Sequence, residues 1–301
     1  MSKFLKILLY PVVFFLSLVL FSVLLFPFDS VKNRAATEIE NAMGGGYQVT
    51  IGKLSPSLPS GAVLKDIEIR PRGSAAAAPM KLSQAKVKVG LLALLSGGLE
   101  VDFDVKPPQG RATGAFIRKG GGMEIEAKLD RFDLGLISFL TQRAGIPVTG
   151  TVSGNVSLEM YPQDPLRNTG SAVLQVLDLG LGEISLAEGA FKVPAMKLAQ
   201  TGGNSKIDIQ VSRGNLEVKS LQLAGGDLDL NTDGKVYGAR RADNYRFNLK
   251  GSFKPTPDFA QKFQILGLVE KQKAADGSYP FTITGRVSKP SIRIGEFKLP
   301  I

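Results

Sequence analysis

Three stretches place carboxylates or glycines at spacings that chemistry uses. Asp227, Asp229, Asn231 and Asp233 alternate with Leu228, Leu230 and Thr232 and run into Gly234, a spacing that resembles a calcium-binding loop. Such a loop ends in a glutamate at its twelfth position, and here Gly238 stands twelfth from Asp227. Alternate strand positions share a face, so the segment reads as a polar strand face leading to an Asp-Gly turn. Gly120-Gly121-Gly122 has the composition of a phosphate loop. It lacks the Gly-Lys-Ser/Thr ending and a following helix, so it reads as a hairpin turn. Asp102 and Asp104 share one strand face, where paired carboxylates could exchange protons, although solvated carboxylates are the commoner arrangement.

The absences decide more than these spacings. The chain has no His and no Cys, which removes the usual general base near neutral pH, thiolate nucleophiles, and zinc sites built on imidazole or sulfur. Disulfides are impossible too. No catalytic, metal or cofactor residue is assigned, and the chain reads as a binding protein rather than an enzyme. The net charge of +10 fits an anionic membrane surface or a solvated excess. Basic residues are scattered, with no basic block interleaved with aromatics, so nucleic acid is not an expected partner.

The elements that would position any site begin with a membrane span. Ile7 to Phe26 carry no charge over 20 positions, about 30 Å as a helix, which is the thickness of a hydrocarbon core. The side chains that would meet lipid are Ile7, Leu8, Leu9, Val12, Val13, Phe14, Phe15, Leu16, Leu18, Val19, Leu20, Phe21, Val23, Leu24, Leu25 and Phe26. Lys3 and Lys6 keep the tip cytoplasmic, and Lys32 and Arg34 weaken that asymmetry. A cleaved signal peptide is the rival, but the run is long for one and ends in Pro27-Phe28 rather than small residues. The organisation expected is a tip and anchor over 1–28, a short helix and linker over 29–46, and a β domain over 47–301. Asp29 and Ser30 would cap that helix, which runs through Met43 to Gly44-Gly45-Gly46.

From Tyr47 onward the hydrophobic period is two. Val152, Gly154, Val156, Leu158 and Met160 alternate with polar residues, as do Tyr245, Phe247, Leu249, Gly251 and Phe253, and Phe281, Ile283, Gly285 and Val287. Shorter runs read likewise at 49–54, 63–69, 86–89, 101–105, 123–129, 207–211 and 228–230. One apolar and one polar face per strand means antiparallel sheet. Helix candidates are few: Leu91–Leu95, Leu134–Arg143 and Phe259–Lys271. The fold class is therefore mainly β, an elongated antiparallel sheet with a few short helices after a transmembrane helix. Its apolar faces must be hidden by a second sheet, as a sandwich, or by curling into a half-pipe. Val156, Leu158, Leu228, Leu230, Phe247, Leu249, Phe281 and Ile283 should lie on the inner face, as a packed core in the first case and a lipid groove in the second.

The anchor, the short helix ending at Gly44–Gly52 (GGGYQVTIG) and the strand Gly61–Arg70 resemble the start of AsmA-like envelope proteins. Val148–Leu158 (VTGTVSGNVSL) and Gly225–Gly234 (GGDLDLNTDG) resemble them as well. With the ending Asp276–Pro290 (DGSYPFTITGRVSKP), the chain looks most similar to the type II secretion system protein N family. The resemblance implies an inner-membrane-anchored periplasmic component that supports protein export alongside other secretion-system components. AsmA-like relatives imply an alternative, binding or transport of lipid in the envelope. Neither implies catalytic residues. A reporter fused after Ile301 should be active only outside the cytoplasm; cytoplasmic activity, or mature protein starting beyond Phe26, would contradict the anchor.

Overall fold

The computed structural model describes residues 28–42, 46–57, 60–72, 79–136, 147–186, 191–241, 244–263 and 265–299. The expected anchor, residues 7–26, lies outside these, and no helix among the described residues is long and apolar enough to cross a membrane. The chain divides after Lys88 into two compact units.

The first unit is a helix, α1 (Phe28–Ala42), and a meander of β1 (Tyr47–Ser57), β2 (Gly61–Pro71) and β3 (Met80–Val89). Asp29 and Ser30 fall inside the first turn of α1 rather than before it. The Glu40 carboxylate ties α1 to the sheet: it accepts the Val49 N–H at 2.7 Å and pairs with the Arg72 guanidinium at 2.6 Å. Val49, Ile51, Leu64, Ile67 and Ile69 are buried. Leu64 and Ile67 are three apart, so strict alternation would place them on opposite faces. Asp66, at φ 52° and opposite Gly52, breaks the alternation between them.

The second unit is built on one antiparallel sheet. Its path runs through β4 (Leu99–Lys106), β5 (Arg111–Lys119), β6 (Gly122–Asp133), β7 (Val148–Met160) and β8 (Thr169–Leu181). It continues through β12 (Lys206–Ser212), β13 (Asn215–Leu223), β14 (Leu228–Tyr237), β15 (Arg246–Pro255), β16 (Tyr279–Arg286), β17 (Lys289–Ile294) and β18 (Phe297–Lys298). Between β8 and β12 lie the hairpin β9 (Ile184–Leu186) and β10 (Phe191–Val193) and the two-residue β11 (Met196–Lys197), which pairs with β8. Among the described residues that small hairpin is the one further sheet, so no second large sheet forms a sandwich with the first.

The helices of the second unit with described bounds are α2 (Leu91–Leu95), α3 (Pro257–Lys262) and α4 (Ile265–Val269), with 3-10 turns at Pro165–Arg167 and Glu270–Gln272. The expected single helix over 259–271 is thus broken into three pieces. Thr256 caps α3, its hydroxyl accepting the Phe259 N–H at 3.4 Å ahead of Pro257. The Leu134–Arg143 candidate lies mostly outside the described residues.

The ladder is bent where its register breaks. Arg131 on β6 and Asp178 on β8, at φ 44° and 52°, sit at bulges against β7, where an extra residue bends the strand and increases its twist. Gly154 on β7 adopts φ 147°, and a Cβ there would lie 2.1 Å from the Val173 carbonyl oxygen. Gly234 on β14 repeats this at φ 134° against the Asn248 carbonyl, at 2.3 Å. Asp233-Gly234 is therefore a mid-strand kink and not the expected turn, since Asp233 pairs with Lys250 and Gly234 with Leu249. Gly120-Gly121 is a hairpin turn as expected, with Lys119 paired to Gly122. Gly154→Ala should cost about 2 kcal/mol or more, combining backbone strain with the clash. Gly267→Ala, in α4 with open space around it, should stabilise by about 0.5–1 kcal/mol. Urea melts read both, and equal effects at the two positions would contradict the kink.

Candidate functional site

Cross-strand partners share a face, so the register shows how the strand residues line up across the second unit. One row runs Phe103, Gly114, Ala127, Val156, Ala172, Ile209, Val218, Gly234, Leu249, Ile283 and Ile292, from β4 to β17. The next runs Val101, Phe116, Ile125, Leu158, Gly170, Val211, Leu216, Val236, Phe247, Gly285 and Pro290 over the same strands. Neither row contains a polar side chain. In the first only Val218 is buried, and in the second none is; nearly all the rest are half-buried. This apolar band crosses eleven strands, about 48 Å at the usual strand spacing.

Toward one end of the strands the band is covered. Val152, Val176, Met196, Leu198, Leu223 and Phe259 form a buried cluster. The segment carrying Met196 and Leu198 is pinned there: the Leu198 N–H donates to the Leu179 carbonyl, the Asp227 N–H to the Lys197 carbonyl, and the Lys197 N–H to the Asp227 carboxylate. Asp227 thus holds backbone, and Asp229 likewise accepts the Gly225 N–H, so two of the four calcium-like positions serve a loop. Leu266 and Val269 of α4 form a second cluster with Tyr279 and Ile294.

Where this cover stops there is a cavity of about 250 Å3. Its lining is Met196, Leu228, Leu230, Phe253, Phe263, Phe281, Ile283, Ile292, Ile294 and Leu299, all apolar. Gly251 lets the Phe281 ring lie close to the sheet, since a Cβ there would lie 2.2 Å from the Asn231 carbonyl oxygen and 2.8 Å from that ring. Phe253 stacks on Tyr279 with centroids 5.3 Å apart. A larger hollow of about 490 Å3 is lined by Asp102, Glu126, Lys128, Asn155 and a mixture of small, hydroxyl and valine side chains. Asp104, two residues from Asp102, holds Arg111 through two hydrogen bonds of 2.8 and 2.6 Å. Among the described residues no three carboxylates gather into a group able to hold a metal ion.

No protein-family model, curated protein or solved structure matches the chain. The site therefore stands on its own geometry. All eight residues chosen for the inner face lie on one face of the sheet. Leu228, Leu230, Phe281 and Ile283 line the cavity. Phe247 and Leu249 lie beside it on β15, toward the uncovered end. Val156 and Leu158 lie far along the band on β7, with Val156 also bordering the larger hollow. Sequence reasoning missed Met196, Phe263, Ile292, Ile294 and Leu299. The alternation in Ser291-Ile292-Arg293-Ile294 was the available signal for β17, whereas nothing local marks Met196, which long-range backbone pairing brings in.

Tyr279 closes the covered end; it is 2% exposed, and its hydroxyl donates to Glu270 Oε2 at 3.1 Å. Burial, then that hydrogen bond and the Glu270 charge, raises its pKa above the ordinary value near 10. The folded state prefers the neutral phenol. The associated stability is complete below the unfolded pKa and is lost as pH rises through the higher folded value. Urea melts from about pH 8 to about pH 11 should show stability falling on the alkaline side of about pH 10. Tyr279→Phe should flatten part of that fall; an unchanged profile would contradict the assignment.

Proposed function

We propose that the chain is a cell-envelope protein that holds the acyl part of a lipid on the uncovered apolar face of its second unit, and that it binds without catalysis. The observation carrying this reading is the two-row band without a polar side chain, which opens beside a wholly apolar cavity. Each buried methylene gains about 0.8 kcal/mol, so an extended chain lying along half-exposed aliphatic and aromatic side chains is the ligand this chemistry favours. The cavity is smaller than the roughly 300–1,000 Å3 of a drug-sized site, which suits one chain rather than a whole lipid. The bulges and kinked glycines support a sheet curled around that face as a half-pipe. The resemblance to AsmA-like proteins supports the same architecture, and the apolar run 7–26 supports an inner-membrane anchor with the β units in the periplasm.

A role in type II secretion is the second reading, carried by the resemblance of Asp276–Pro290, the string that supplies Phe281 and Ile283 to the cavity. Here the chain would act by binding other secretion components. The two readings part in experiment. Native mass spectrometry of full-length protein extracted from membranes should find acyl lipid bound, and a folded Ile283→Asp variant should have lost it. Folded wild-type protein free of lipid would contradict the acyl reading. Deleting the chain should reduce export of secreted proteins if the second reading holds, and normal export would remove it while leaving the first untouched.

A further inference from the structure

Helix α2 is a single turn whose Leu91, Leu92, Leu94 and Leu95 are 52%, 83%, 49% and 85% exposed, and nothing in it is buried. At 100° per residue these four side chains span about 160° of the helix, wider than the stripe of about 100° that a helix lays against one core. Exposed leucines in such number mark a surface meant for something other than water. Beside them, Arg118 and Lys119 on the β5–β6 hairpin share a hollow with Leu92 and Ala93. Glu100 lines that hollow too, yet neither cation pairs with a carboxylate among the described residues.

The setting repeats along the sheet. Successive antiparallel strands alternate in direction, so the start of β4 and the β5–β6, β7–β8, β14–β15 and β16–β17 connections all lie at one strand end. Leu166, Tyr237 and Val287 stand at these connections and are 41–44% exposed. Arg246, Arg286 and Lys289 sit directly opposite one another there, again without a carboxylate partner among the described residues. Like charges facing each other across strands oppose folding, and an external anion relieves them.

We propose that this strand end docks on an anionic phospholipid bilayer, with the α2 leucines entering the interface and Arg118 and Lys119 meeting headgroup phosphates. Apolar tips flanked by cations match the layered chemistry of a bilayer surface. Nucleic acid would leave the leucines in water, and an acidic protein groove would cover only part of their arc. The proposal does not rest on the acyl-chain reading.

The chain contains no cysteine, so Leu92→Cys accepts a single environment-sensitive fluorophore. Full-length labelled protein is reconstituted in vesicles of neutral lipid, or of neutral lipid with phosphatidylglycerol, each carrying a spin-labelled quencher lipid. The expected result is blue-shifted, lipid-quenched emission in the anionic vesicles, absent when the label is placed at Ser157→Cys on the polar sheet face. Arg118→Ala and Lys119→Ala should each weaken the docking equilibrium about fivefold, and high salt should weaken it too. An unquenched probe in anionic vesicles overturns the proposal. So does a shift produced by soluble polyglutamate, which assigns the face to acidic protein, or one that follows protein concentration alone, which assigns it to a second copy. Quenching at position 92 without acyl lipid bound to the protein sinks the groove reading and keeps docking; bound lipid without quenching does the reverse.

Discussion

An antiparallel sheet with one apolar face must keep that face from water, at a cost near 25 cal/mol for each Å2 left exposed. The second unit has a dozen path strands patterned this way and little to cover them. Among the described residues its cover is α3, α4, the turn after them, the strap carrying Met196 and Leu198, and Leu134 beyond β6, all gathered toward one end of the strands. The rest of the structure follows from that shortfall. Tyr279 and Ile294 are buried under the helices, Phe281 and Ile283 are half-buried at their margin, and Val287 at the far turn is exposed.

Local breaks in the ladder accompany that shortfall. Arg131 and Asp178 take left-handed conformations that cost side-chain-bearing residues energy, and Gly154 and Gly234 occupy positions where any Cβ would strike a neighbouring carbonyl. The energy stored at these positions is offset by ladder hydrogen bonds and by burial along the band. The polar face needs no such device. Its charges meet water, and pairs such as Lys250 with Asp233 and Lys235 with Glu217 are exposed contacts of small value.

The strand pattern was legible because period-two alternation survives in a one-sided sheet. It marked β7, β15 and β16 and placed Leu228, Leu230, Phe281 and Ile283 on the face that holds the cavity. It passed over β5, β8, β13 and β17. In β8 Val173 breaks the alternation from the polar face, where it is 44% exposed, and in β13 the bulge at Lys219-Ser220 shifts the phase. The choice between sandwich and single sheet was not legible, since both need the same alternation and differ only in what lies above it. Asp233-Gly234 misled because an Asp-Gly pair is a strong turn signal, while the kink it makes depends on the Asn248 carbonyl approaching from the next strand. The division at Lys88 has no mark in composition either, as the alternating pattern runs through it.

The central claim is that, among the described residues, the apolar face is covered toward one end and left half-exposed along the rest of its length, and paired charged substitutions test it most directly. Val269, fully buried in α4, and Leu249, half-buried on the band, are similar in chemistry and differ in cover. Val269→Asp should unfold the second unit, because an unpaired buried charge costs several kcal/mol against a total stability of about 5–15. Leu249→Asp should leave the unit folded, with its carboxylate in water and the urea midpoint lowered only slightly. Near-UV circular dichroism and urea melts of the two full-length variants provide the comparison. If Leu249→Asp unfolds the unit as Val269→Asp does, the band is a closed core and the account of an open apolar face is wrong.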